Sequence, residues 1–161
     1  QKYAVIFAKN MISVIFMMLI MCISAFAKKD YLTYDIKGVG SGTEGTCLVK
    51  VFVYKKNASD AELKAAAIHG VIFRGFNGTE SRVNQPALTS IDTEAEHQEF
   101  YDNFIDEKGD CQNFAEIVAG SYERIKTKKG YKVGVTVQVN RKALRNYLEK
   151  ARVIKSLNSM F

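Results

Sequence analysis

Tyr131–Leu157, YKVGVTVQVNRKALRNYLEKARVIKSL, constrains the fold more than any other stretch, because it reads as one strand running directly into one helix. Val133, Val135, Val137 and Val139 alternate with Gly134, Thr136, Gln138 and Asn140, the two-residue period of a half-buried strand. The Asn140 side chain can accept from the free N–H groups of the next turn, which makes it the expected helix N-cap. Leu144, Tyr147, Leu148, Ala151, Ile154 and Leu157 then recur at three- and four-residue steps, the single apolar stripe of an amphipathic helix. Neither surface is buried alone. The valine face and the stripe are therefore expected to cover each other.

Upstream, Tyr31–Lys37 and Thr46–Tyr54 read as strands; in the second, Cys47, Val49, Val51 and Val53 share one face. Four glycines lie between Gly38 and Gly45, in the Gly-x-Gly-x-x-Gly spacing that starts at Gly40, plus Gly38 ahead of it. Ser59-Asp60-Ala61-Glu62 is a capping box that opens a helix, with Leu63, Ala66, Ala67 and Val71 as its stripe and Gly75 as its stop. Asn77–Asp92 is polar, holds the only proline (Pro86) and shows no period, so it reads as an exposed loop. A second helix is expected from about Glu94 to Asp106, entered through a capping box at Thr93 and Glu96. Glu116–Thr127 reads as a strand that Lys128-Lys129-Gly130 turns into the valine strand. The order ββααββα predicts an α+β domain over 28–161: a two-layer antiparallel sheet of two hairpins packed on helices.

The formal charge is +6, but it is unevenly spread. Asp92–Glu116 holds nine acidic residues against Lys108, whereas Arg124–Lys155 holds eleven basic ones against Glu149. The best candidate for a binding surface is Lys126, Lys128, Lys129, Lys132, Arg141, Lys142 and Arg145, with Tyr122 and Tyr131 interleaved. Such a pattern suits a nucleic-acid strand. The N-terminus argues for a different partner. Met11–Ala27 is an apolar run ending in Ala25-Phe26-Ala27, with Lys2 and Lys9 before it and Lys28-Lys29-Asp30 after it. This is the layout of an export signal over 1–27, with 1–10 an upstream extension if Met11 is the start. Retained, the same run would instead tether the protein as a membrane span. An extracytoplasmic location (periplasm, outer membrane or secreted) excludes nucleic acid and favours an anionic envelope component or another envelope protein. Export also gives meaning to Cys47 and Cys111, which are left open between a disulfide and two buried thiols.

No pattern indicates a catalytic residue, a metal or a cofactor. Gly40-Ser41-Gly42-Thr43-Glu44-Gly45 matches the dinucleotide fingerprint, but a strand follows it where the pyrophosphate needs a helix N-terminus. A kinase glycine loop does lie between strands, yet neither His-Arg-Asp nor Asp-Phe-Gly occurs. A flexible hairpin tip without nucleotide affinity is the expectation. His69 and His97 have no further ligand at a helical or turn spacing, so zinc is not indicated. The acidic helix lacks the spacing and the glycine of a calcium loop. No nucleophile elbow marks acyl transfer.

Ala61–Gly78 (AELKAAAIHGVIFRGFNG) and Gly120–Leu148 (GSYERIKTKKGYKVGVTVQVNRKALRNYL) together resemble small exported proteins of Bacteroidetes. More distantly, the helix, the valine hairpin and the final Ala-Leu-x-x-x-Leu helix resemble the flagellar-assembly T protein N-terminal domain and related small lipoproteins. The lipid-attachment cysteine of the lipoproteins has no counterpart, since Met21 precedes Cys22 where a small residue is required. The resemblance implies an exported envelope or secreted accessory protein and carries over no functional residue. The alternatives are a small extracytoplasmic hydrolase whose site has no local signature and a membrane-tethered subunit.

Overall fold

The computed structural model describes residues 32–78 and 84–156. The expected export signal over 1–27 and the last stripe residue, Leu157, lie outside them. The chain runs β1 (Tyr34–Ser41), β2 (Cys47–Val53), α1 (Asp60–His69), a wide π-type turn (Gly70–Arg74), α2 (Ile91–Glu96), α3 (Gln98–Phe104), a 3-10 turn (Asp110–Phe114), β3 (Ala115–Ile117), β4 (Glu123–Thr127), β5 (Gly130–Val139) and α4 (Arg141–Lys150). The α+β class with an antiparallel sheet of hairpins packed on helices is as expected.

Two strands rich in alternating valines pair at the centre of the sheet. Val49 stands opposite Val137, Val51 opposite Val135 and Val53 opposite Val133. Branched side chains directly across from one another stabilise such a pair, so hydrophobic alternation and register agree. β1 flanks β2, while β3 and β4 lie end to end along the far edge of β5. The valine face is buried. The opposite face keeps Leu48, Lys50, Phe52, Thr136 and Gln138 half-exposed. There the Phe52 ring covers Gly134, where an added Cβ would come within 2.4 Å of it.

What covers the valines differs from the sequence expectation. α1, not α4, lies across β2, β3 and β5. It opens with the capping box as read: Ser59 Oγ accepts from the Glu62 amide at 3.1 Å, and the Ser59 amide donates to Glu62 Oε2 at 2.9 Å. Its apolar residues are not confined to a stripe. Leu63, Ala65, Ala66, Ala67 and Ile68 are all fully buried, because the 3-10 turn packs on the helix as well as the sheet. Gly75, with φ 65°, ends the π-type turn that follows.

α4 packs against the 3-10 turn and contributes Leu144 and Leu148 to the same core. Asn140 caps it as expected, accepting from the Ala143 amide at 3.0 Å. The helix stops at Lys150, well short of Leu157, and Ala151 is exposed rather than core. Three further expectations are corrected. The acidic helix is two short ones broken at His97, and it starts from Ser90, leaving Thr93 inside α2. The strand over Glu116–Thr127 is interrupted, because Val118–Tyr122 turns away and is held to β5 only at Thr136, by the Val118 amide (2.9 Å) and Ser121 Oγ (3.0 Å). The described residues of the loop expected over Asn77–Asp92 are only partly exposed: Phe76 and Gln85 exchange two backbone bonds of 2.9 Å, and Leu88 is buried.

Candidate functional site

The seven cations chosen from sequence do not form one surface. Lys132 and Arg141 are nine residues apart along β5 and its end, which is about 30 Å at the rise of an extended strand. Lys126, Lys128, Lys129 and Lys132 belong to the β4–β5 hairpin end, whereas Arg141, Lys142 and Arg145 open α4 at the opposite end.

At the hairpin end, Lys126, Lys128 and Lys129 are exposed and make no ion pair among the described residues. Arg124 lies over the Tyr131 ring at 4.7 Å, and the Lys132 ammonium lies over Phe52 at 4.4 Å. Both cations thus have an aromatic face under them. Tyr122 does not interleave with this group; its hydroxyl donates to Asp60 at the start of α1. At the helix start, Arg141 is half-buried and donates to the Pro86 carbonyl at 3.0 Å. Burial, and then the Arg145 charge, pull its guanidinium below the ordinary arginine value. Arg145 bonds Glu149 at 3.2 Å, and Lys142 alone is exposed there. The hairpin end is the free cationic surface of the two.

The glycine run makes the expected hairpin tip, but a shorter one. β1 continues through Gly40 to Ser41 across a bulge, leaving residues 42–46 as the turn. β2 follows directly, and the helix amide that meets the turn, Lys142 at the start of α4, donates to the Gly45 carbonyl at 3.0 Å.

Cys47 and Cys111 are two buried thiols, and the disulfide left open by the sequence is not formed. Cys47 begins β2 opposite Val139, and Cys111 Sγ in the 3-10 turn faces the Asp106 carbonyl at 3.5 Å. Burial pushes the Cys47 thiol up to about 11, against the pull of Arg141, so it is held protonated.

One polar group was hidden from the sequence. His69, the last residue of α1, is 5% exposed. Its Nδ1 is 2.6 Å from the Tyr34 hydroxyl and its Nε2 is 3.1 Å from Glu94 Oε1. A carboxylate only accepts, so Nε2 carries the proton and Nδ1 takes the tyrosine hydrogen when the ring is neutral. Burial holds the Tyr34 phenol far above its ordinary value. Both ring nitrogens are therefore hydrogen-bonded. The trio ties α1 to β1 and α2. It was invisible because the partners stand 35 and 25 residues away. Among the described residues, no cluster of His, Cys, Asp or Glu is arranged to hold a metal ion, and no helix is long and apolar enough to cross a membrane. No protein-family model, curated protein or solved structure matches the chain.

Proposed function

We propose that the protein is an exported, non-enzymatic accessory protein that binds an anionic component of the cell envelope through the β4–β5 hairpin end. The observation that carries this reading is that Lys126, Lys128 and Lys129 crowd one hairpin end, exposed and without a salt bridge among the described residues. Like charges brought together without partners repel, so stability does not account for their grouping. An anionic surface does, and its attraction reaches roughly 10 Å at 0.1 M ionic strength. The export-type run ending Ala25-Phe26-Ala27 and the resemblance to small exported proteins support the compartment.

The test is co-sedimentation with phosphatidylglycerol vesicles and retention in native envelope fractions, each across a salt series. The Lys126→Glu, Lys128→Glu, Lys129→Glu triple variant is expected to lose retention with its thermal midpoint unchanged, since all three positions are exposed. The unaltered protein is expected to release steeply as salt rises. Retention that survives both the reversal and high salt overturns the reading.

A further inference from the structure

The end of α4 and the segment around α2 enclose a cleft of about 500 Å³, which shares none of its described lining with the hairpin end and has no part in the binding just described. Its floor is apolar, formed by the buried Leu88, Val153 and Ile154. Arg145, Arg152 and Lys155 converge on it from the α4 side. Thr89, Ser90 and Thr93 line the other side. Their three hydroxyls are linked by contacts of 2.9 Å (Thr89 to Thr93) and 3.4 Å (Ser90 to Thr93). Two contacts use two hydroxyl hydrogens, so one remains to donate. Among the described residues, Glu96 is the single carboxylate of the lining, and His97 follows it in the chain. Arg145 gives one terminal nitrogen to Glu149 and keeps its other donors. The lining is thus cationic around an apolar base.

The backbone supplies an independent observation. α4 closes in the double-bonded way that usually ends on glycine: the Arg152 amide donates to the Glu149 carbonyl at 3.0 Å and the Val153 amide to the Leu148 carbonyl at 3.2 Å. Arg152 takes the left-handed conformation, φ 59°, alone among the non-glycine residues described. A Cβ is strained there, which is why glycine is the ordinary occupant. The helix dipole welcomes a cation anywhere in the last turn. It does not explain an arginine at the one position where a side chain costs strain. Backbone strain of this kind collects at binding sites.

We infer that the cleft binds a small phosphate monoester with a short apolar body. Arg145 and Arg152 offer the forked donors that match phosphate oxygens, Lys155 adds a point charge, and the spare hydroxyl hydrogen completes the shell. The Leu88, Val153 and Ile154 floor takes the apolar body.

The experiment is an NMR titration of the whole protein with hexyl phosphate, inorganic phosphate and hexan-1-ol. Hexyl phosphate is expected to saturate and to shift the amides of residues 88–93 and 152–155. Inorganic phosphate should bind at least tenfold more weakly, and hexan-1-ol should not saturate. Arg152→Gly should weaken hexyl phosphate at least tenfold while the thermal midpoint holds or rises, because glycine relieves the strain. Arg145→Gln should weaken it as well. The hairpin triple variant should leave the affinity unchanged, which separates this cleft from the envelope-binding surface. The inference is overturned if Arg152→Gly binds within twofold of the unaltered protein. Equal affinity for both phosphates, or shifts confined to the hairpin, overturns it too.

Discussion

α1 and α4 are both ten residues long, but their sequence patterns and their places in the fold are reversed. α4 has the clean apolar stripe, and it buries only Leu144 and Leu148. α1 reads as a mixture of alanines and scattered apolar residues, and seven of its residues are buried. The difference follows from how many sides each helix must cover. A stripe marks a helix with one wet face, whereas a helix enclosed between a sheet and other elements is apolar nearly all round. The three consecutive alanines Ala65–Ala67 suit the enclosed position, because small side chains let the backbone approach the valines.

The largest expected effect bears on what α1 encloses. Val135 is fully buried beneath it, so Val135→Asp places an unpaired charge in the core and should cost several kcal/mol, enough to unfold the domain at room temperature. Gln138→Asp on the half-exposed face should cost about 0.5 kcal/mol or less. Urea unfolding of both variants decides it. Equal losses would mean that the sheet is covered on both sides.

A second pair compares the helices directly. Ala66→Leu overpacks the enclosed α1 and should cost about 1–3 kcal/mol. Ala143→Leu, on the half-buried start of α4, should stay within about 0.5 kcal/mol. Thermal unfolding reads both, and a neutral Ala66→Leu would break the comparison.

The smallest effect concerns how α1 begins. Ser59→Ala removes one side of the capping box and should cost about 1 kcal/mol in urea unfolding. Burial works against the Glu62 charge, but Lys55 and the Ser59 amide outweigh it and hold the carboxyl below the ordinary glutamate range. A carboxyl with a lowered folded value binds its proton more readily when unfolded. Its stabilisation is therefore complete above the unfolded value and fades as pH falls through the folded one. Glu62→Gln should flatten the acid limb of the urea midpoint against pH. An unchanged slope below about pH 4.3 would sink the assignment.

The hairpin cations were legible one by one, but their division was not. Lys132 and Arg141 are close in sequence, and only an uninterrupted β5 sets them far apart. Tyr122 looked like a partner of the lysines until its hydroxyl was found on Asp60, sixty-two residues away. The cleft had no motif at all. Its Arg145 was counted with the hairpin, and Arg152, Lys155 and Thr93 belong to segments that the sequence placed in other roles.

By itself the sequence determined whatever depends on neighbours within about five residues. The valine alternation, the Ser59–Glu62 box, the Asn140 cap, the turn before Cys47 and the stop at Gly75 all appear in the structure, because each bond or clash involved is local. Tertiary structure decided which helix covers the valines, since several apolar surfaces compete for that face and only the packed whole selects one. It also set the end of α4. No glycine announces a stop at Arg152, and the left-handed turn exists because Val153 and Ile154 are buried by folding back. Burying two apolar side chains is worth more than the strain at one residue, and that balance is absent from any local stretch of the chain.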